Sequence, residues 1–554
     1  HLDSSGADRT RGARGLDPAR GPWSAHRDPP VGGHPGAPSA ILSRVPDPEP
    51  NQDKPFVSSA PTTGAMSKVA ASEPASKQKS HPWRDNIEAV AVAIATIVLF
   101  KYFVVEAYKI PTGSMQPTLM GNAETGIFDR VIVDKFSYHF RDPERFEIAV
   151  FNYPLDSSKN FIKRIIGMPG EELEIRGGDP WIRPEGQEDF TILRRPRSIQ
   201  DAQLRRLDTE GEWKMSTGTA GRWRIKPSSS GDEFSATGRG EATFPRTYES
   251  IRDNYVDGYP EGIKDKIITI KKGSNFNDVS DLRARCEVRA DAGCREVAIE
   301  LHEGRRRFKF ILPGPAAPAS ERARIIATGL DSDDMEVVAT EMPDGEPARL
   351  TTGDRYEVEV ENLNDRLALR IDGDEVAAAE IPPAPDRARS KVTLRIEAPE
   401  GSTTTVDDMK VWRDIYYTFD PTRQKVSRWN IPPGNYVVLG DNSQDSSDGR
   451  DWTLVQFQIE EGERAGETVS GNLRESSSPR PDANPLYLPS KRKWEQLVLR
   501  DTLGERHVFE RGEATRLSDE VAPLVSRDLI RGRAVAVVWP LAPQHDVYRW
   551  KWVR

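Results

Sequence analysis

The stretch IPTGSMQPTLMG, residues 110–121, sets a serine, Ser114, between glycine and methionine with prolines on both sides. Pro111, Gly113 and Pro117 give a stiff, bent backbone that displays a side chain. The same composition also makes a plain turn. For Ser114 to act as a nucleophile it needs a base, usually histidine. Two further blocks share its character, KRIIGMPGE (163–171) and GDNSQDSSDGR (440–450), and none of the three contains histidine. His139 and His545 lie in neighbouring β-rich segments, beside no obvious partner. The other available base is a lysine whose amine is neutral. Lys163, in NFIKRIIG, stands among Phe161, Ile162, Ile165 and Ile166. Burial disfavours an ammonium, and a fall from about 10.4 to about 7–8 costs on the order of 4 kcal/mol. Strand alternation sends Arg164 to the opposite face. Taken singly, the second block also reads as a basic strand ending in a Pro-Gly turn, and the third as an Asx-rich turn.

The elements that must position these blocks are strands. RVIVDKFSY (130–138) alternates, FEIAVFNYP (146–154) is a buried run, and NFIKRIIGMPGEELEIR (160–176) reads strand, turn, strand. Residues 177–274 form a polar, irregular insertion with scattered Trp181, Trp213 and Trp223. Alternating runs joined by Asn/Asp/Gly turns fill 275–418 and predict an inserted antiparallel β-sandwich. Within it, YEVEVENLNDRLALRIDG resembles a hairpin of concanavalin-like jelly-roll modules. The early style returns over 419–452, a second polar insertion covers 453–526, and 527–554 supplies a last strand, GRAVAVVWPL. The fold class is therefore mainly β: one catalytic domain, built from 107–176, 419–452 and 527–554, interrupted by large surface insertions.

Ahead of it, residues 1–84 are rich in Pro, Gly, Ala, Ser, Arg and Asp and predict a disordered tail. Met66 is the first methionine, a candidate start of translation. Residues 85–106 predict a transmembrane helix: 89–105 are apolar except for Thr96 and Lys101. Lys77, Lys79 and Arg84 precede it, which sets the N-terminus in the cytoplasm and the catalytic part on the outer face of the cytoplasmic membrane. The small residues of VEA (105–107) also allow a cleaved signal peptide. The net charge of −9 is spread along the 554 residues and gives no reason to expect a nucleic-acid partner. Cys286 and Cys294 either bridge a hairpin or stay free thiols. The acidic clusters at 330–334 and 371–375 read as solvated turns rather than calcium sites.

The three blocks, with FDRVIVDK (128–135) and the terminal GRAVAVVWPL, resemble the conserved boxes of the type I signal peptidase family of serine–lysine endopeptidases. The serine box S-M-x-P-T-L and the lysine box K-R-x-x-G-x-P-G-[DE] are intact, and the last box is carried by Gly440, Asp441, Asn442, Ser446, Asp448 and Arg450. The resemblance covers about 150 residues and leaves the insertions unread. It implies a signal-peptidase-like β catalytic domain with Ser114 as nucleophile and Lys163 as general base. It further implies that Ser446 orients the amine and that Asp448, Arg164 and Arg450 form a charged scaffold. The oxyanion would meet the backbone N–H of Ser114 and the hydroxyl of Thr112, where many relatives have serine. Ile110, Pro111, Met115, Leu119, Phe161 and Ile162 match positions walling the small pockets that select A-x-A. Ser443, Gln444 and Gly449 depart from the family text, which commonly has Arg, then Asp or Asn, and serine there.

The implied partners are signal peptides of exported preproteins and membrane lipid, with a sugar or peptide ligand for the insert as a further expectation. Ser/Lys chemistry calls for no cofactor. Two other readings stay open at this point. One is a membrane-tethered binding protein that works through its jelly-roll-like insert on an inactive peptidase scaffold. The other is a narrow-substrate relative of self-cleaving repressors, against which the membrane span argues.

Overall fold

The computed structural model describes residues 41–44 and 82–554, apart from 123–125, 217–221, 228–230, 247–249, 255–256, 260–263, 265–276, 331–333, 342–347, 385–388, 422–423, 475–482, 490–494 and 543–546. Most of the tail expectation, with Met66, Lys77 and Lys79, lies outside the described residues, as does part of the 330–334 cluster. The structure is mainly β. Helix α1 (Pro82–Phe103) leaves Ile87, Val90, Ile94, Ile97 and Leu99 exposed, and it takes in the charged Glu88 and Lys101. The segment expected to span a membrane over 85–106 does form this helix, but with those charges in it, and among the described residues no helix is long and apolar enough to cross a membrane.

The three blocks hang on a nine-stranded sheet. Its strands are β1 (Ile41–Arg44), β2 (Val105–Lys109), β3 (Arg130–Asp134), β4 (Ile148–Tyr153), β5 (Asp156–Gly167), β6 (Asn435–Leu439), β7 (Val525–Ser526), β8 (Ile530–Trp539) and β9 (Lys551–Trp552). The order is β1-β2-β3-β8-β4-β5-β6-β7, with β9 on β8. Because β1 also pairs with β5, the strands from β1 to β5 close on themselves through β8. β1 thus lies antiparallel between β2 and β5, with Ile41 opposite Phe161 and Arg44 opposite Tyr108. Apolar residues alternating along β2 to β5 and β8 pack inward as one core, Tyr108, Val131, Val133, Ile148, Val150, Ile162 and Val537 among them. The strands Glu171–Arg176 and Asp179–Pro184 leave this sheet and pair with Arg428–Ile431 in a small sheet of their own.

The insertion after residue 184 differs from the irregular stretch its polarity predicts. Helix α2 (Arg197–Gln203) is followed by strands that join the sandwich: Arg205–Arg206, Arg222–Lys226 and Asp232–Thr237 in an eight-stranded sheet, and Lys214–Met215 and Gly240–Phe244 in a seven-stranded one. The two sheets share one apolar core, where Trp213 meets Phe234 edge-on at 5.1 Å. These strands are short and spaced by turns, so the flanking polar text conceals them. Cys286 and Cys294 are free thiols buried in that core, and burial raises both pKa values. The stretch 453–526, also read as polar, carries two three-stranded sheets around Val455, Phe457, Val469, Leu497, Leu499 and Phe509.

Candidate active site

Strand β5 and the loop after β2 bring Ser114 and Lys163 together. Lys163 Nζ donates to Ser114 Oγ at 2.8 Å and to the Ile162 carbonyl at 3.2 Å. Both residues are fully buried. Burial pulls the Lys163 amine down to about 8, against the opposing pull of Asp448 and Asp451. The hydroxyl of Thr112 is buried without a hydrogen-bond partner among the described residues. A buried, unmatched donor two residues before Ser114 is free to meet charge that develops there.

The third block closes against the serine loop. Asn442 donates its backbone N–H to the Ser114 carbonyl at 3.1 Å and its side-chain amide to the Gly113 carbonyl at 2.9 Å. Gly440 makes this approach feasible: a Cβ there would lie 2.2 Å from Ser446 Oγ and 2.5 Å from the Ser114 carbonyl oxygen. Two buried ion pairs hold the block. Arg164, on the face of β5 opposite Lys163, grips Asp441 with both prongs at 2.8 and 2.7 Å. Arg450 grips Asp448 in the same way, and Asp448 also accepts the Gly440 N–H at 2.9 Å. Burial raises the Asp441 carboxyl, but the Arg164 guanidinium outweighs it and holds the group at about 2.

Two expected contacts differ. Arg164 pairs with Asp441 rather than sharing one scaffold with Asp448, because alternation points it away from the lysine side. Ser446 Oγ is buried but makes no hydrogen bond to Lys163, whose amine is taken up by Ser114 and Ile162. Of the expected pocket walls, Ile110, Met115, Leu119 and Ile162 belong to the closed-strand core and Pro111 is half-buried beside them. Phe161 faces the other way, stacked on Tyr153 at 4.1 Å and edge-on to Trp452 at 6.0 Å. Asp441 and Asp451 carry more of the electrostatics than the sequence reading gave them. Asp451, raised to about 6 by burial and by Asp448, was legible only as the residue after the last box.

Residues 83–206 and 352–465 match the family described as Signal peptidase, peptidase S26. Over those two stretches the chain is similar to this signal peptidase family. A probable signal peptidase I-2 of Synechocystis sp. is 42% identical over 117 residues, 19% of this chain and 50% of that protein. The signal peptidase I of Leptolyngbya laminosa is 36% identical over 135 residues, 23% of this chain and 62% of that one. The chain thus spans about half to under two thirds of the length of these signal peptidases. Among solved structures, a carbohydrate-binding module from Bacillus subtilis, CBM66, is 11% identical with a TM-score of 0.20, covering 36% of this chain and 93% of the module. That likeness is too weak to carry fold or function.

Against the signal peptidase boxes, the departures at 443, 444 and 449 have local partners. Ser443 Oγ accepts from Arg450 Nη1 at 2.8 Å and from the Thr418 N–H at 2.7 Å, so a small hydroxyl completes the arginine's fork. A Cβ on Gly449 would fall 2.7 Å from the Pro523 carbonyl oxygen. Gln444 donates to the Asp253 carbonyl at 2.6 Å, inside the insertion. Away from this site, Asp501, Glu505 and His507 bring candidate metal-ligand atoms within 4.8 Å of one another. Asp501 there accepts two backbone N–H bonds and a 2.7 Å contact from His507 Nε2, while Arg464 stands 3.4 Å from His507 Nδ1. That is the bonding of a braced turn.

Proposed function

We propose that this chain is a membrane-anchored Ser/Lys endopeptidase that removes signal peptides from exported preproteins after small residues, in an A-x-A pattern, on the outer face of the cytoplasmic membrane. The observation that carries the reading is the 2.8 Å bond from a buried, pKa-lowered lysine amine to a buried serine hydroxyl. A neutral Lys163 takes the proton from Ser114 Oγ as that oxygen attacks the scissile carbonyl carbon. The oxyanion is met by the Ser114 N–H and the Thr112 hydroxyl. Lys163 returns the proton to the leaving amine, breaking the peptide bond and leaving an ester on Ser114. Water, deprotonated by Lys163, then attacks that ester. Asp441–Arg164 and Asp448–Arg450 keep the third block against the serine loop, and Ser446 stays a candidate orienter of the amine.

The substrate is proposed to lie extended between β2 and β5, pairing as an added strand. Support comes from β1, which already pairs with both edges and so marks the gap as one that accepts extended backbone. Small walls from Ile110, Pro111, Met115, Leu119 and Ile162 would admit alanine and reject bulk, with Phe161 turned to Tyr153 and Trp452 behind them. Helix α1 lies against the lipid surface in this reading, supported by its exposed apolar side chains. No cofactor is called for, and the sandwich is assigned no sugar or peptide ligand.

The deciding experiment is cleavage of a preprotein with an A-x-A signal in detergent, comparing wild type with Ser114→Ala and Lys163→Ala. Cutting by wild type and loss in both folded variants is the expected result. Persistent cutting by Lys163→Ala would sink the dyad.

A further inference from the structure

We infer that Tyr259, in the inserted segment, is a positioning residue for the Ser114 loop, acting through Gln116. Tyr259 lies in 207–351, between the two stretches that match the signal peptidase family, so the device belongs to this chain's insertion. Its hydroxyl donates to Gln116 Oε1 at 2.5 Å, and both side chains are buried. The Gln116 amide nitrogen donates in turn to the Gly121 carbonyl at 3.0 Å, and the Gln116 N–H to the Gly113 carbonyl at 3.0 Å. The amide lies hard against Gly113, since a Cβ on that glycine would meet Gln116 Oε1 at 2.9 Å. Gly113 immediately precedes the nucleophile. Fixing the Gln116 side chain therefore fixes Gly113, and with it the direction of the Ser114 N–H and Oγ.

Neighbouring contacts hold the serine loop and the third block in the same place. Gly258 packs beside Pro117, with a virtual Cβ 3.4 Å from Pro117 Cγ. Arg205, on the short Arg205–Arg206 strand that pairs with Trp412 and Arg413 of the sandwich, is buried against Thr118 and reaches the Asp441 carbonyl at 3.4 Å. Gln444, a departure from the family text, donates to the Asp253 carbonyl. Arg413 holds the other side of this loop, through Asp257 at 2.6 Å and the Asn254 carbonyl at 2.9 Å. Asp253, Asn254, Asp257, Gly258 and Tyr259 thus tie the sandwich to both the serine loop and the third block. A buried hydrogen bond at 2.5 Å between two segments distant in sequence is a specific linkage, and an insertion merely tolerated at the surface has no reason to make it.

The inference rests on the proposed peptidase reading for its kinetic arm and on none of it for its structural arm. Tyr259→Phe removes only the hydroxyl. In the full-length protein, kcat on an A-x-A preprotein is expected to fall about 2- to 10-fold with KM unchanged, the range of one lost hydrogen bond. Amide exchange in residues 110–121 is expected to quicken while the melting temperature holds. Gln116→Met should lower kcat as well, and adding Tyr259→Phe to it should cost nothing more. A merely structural tyrosine would give additive losses or a shifted KM. Unchanged exchange over 110–121, or additive kinetics, overturns the inference. If wild type cleaves no preprotein yet exchange quickens in Tyr259→Phe, the positioning stands and the peptidase reading falls.

Discussion

At the scale of single residues, the site is organised by what burial does to each charge. Lys163 has its amine lowered from 10.5 to about 8, so between those values the unfolded chain binds more protons than the folded one. Stability from this group therefore rises with pH through that window, and below about pH 8 the fold bears the full cost of a buried ammonium. The cost is roughly 3 kcal/mol at 1.36 per unit. Lys163→Met should accordingly abolish cleavage while raising stability at pH 7 by about 1–3 kcal/mol, read by urea unfolding. A loss of stability in that variant would mean the amine is better compensated than its surroundings imply. In wild type, kcat/KM should climb with pH through an apparent pKa near 8 as the amine becomes neutral; a flat profile from pH 6 to 9 would remove lysine as the base. Asp441 runs the opposite way. Its pKa is depressed to about 2, so its contribution is whole above 3.8 and is lost as pH falls through 2. Asp441→Asn leaves Arg164 buried and half-paired, and should cost about 3–5 kcal/mol in denaturant unfolding.

Elements decide which of these residues meet. Alternation along β5 was legible in NFIKRIIG and sends Lys163 toward Ser114 and Arg164 toward Asp441, as the period of two requires. The sequence could not say which acid would receive Arg164, because Asp441 and Asp448 are equidistant in chemistry and differ only in how the third block folds. That fold depends on Gly440, whose missing Cβ lets the block close on Ser114. Continuous apolar runs such as IAVFNY were readable as strands; two-residue pairings such as Arg205–Arg206 were not, since no period can be read in two residues. The pocket walls were visible as apolar positions, but the split of Phe161 from Ile162 follows from neighbours, Tyr153 and Trp452, that lie far off in sequence. The insertions were legible as interruptions, and their grip on the serine loop was not, because Tyr259 and Gln116 are 143 residues apart.

On the scale of the whole molecule, the exposed apolar surface is unevenly distributed. Apart from α1, one exposed aromatic group stands near the end of the chain: Trp539 on β8, Trp552 on β9, and Tyr548 and Trp550 in the segment between them. Indole rings with an apolar body and one N–H donor partition to the membrane–water interface. β8 is also the strand beside β3 and β4, so these rings extend the same sheet that carries Lys163. A substrate whose signal peptide lies in lipid would then be presented to the gap between β2 and β5 only when that edge rests on the bilayer. Trp550→Ala with Trp552→Ala should lower kcat/KM on a vesicle-embedded preprotein by about tenfold, equivalent to about 1.4 kcal/mol of lost interfacial binding. Turnover of a short soluble A-x-A peptide should be unchanged, since both rings stand exposed while Ser114 and Lys163 are buried. Equal losses on both substrates would place the rings in the catalytic fold instead, and no loss on either would leave α1 as the sole contact with lipid.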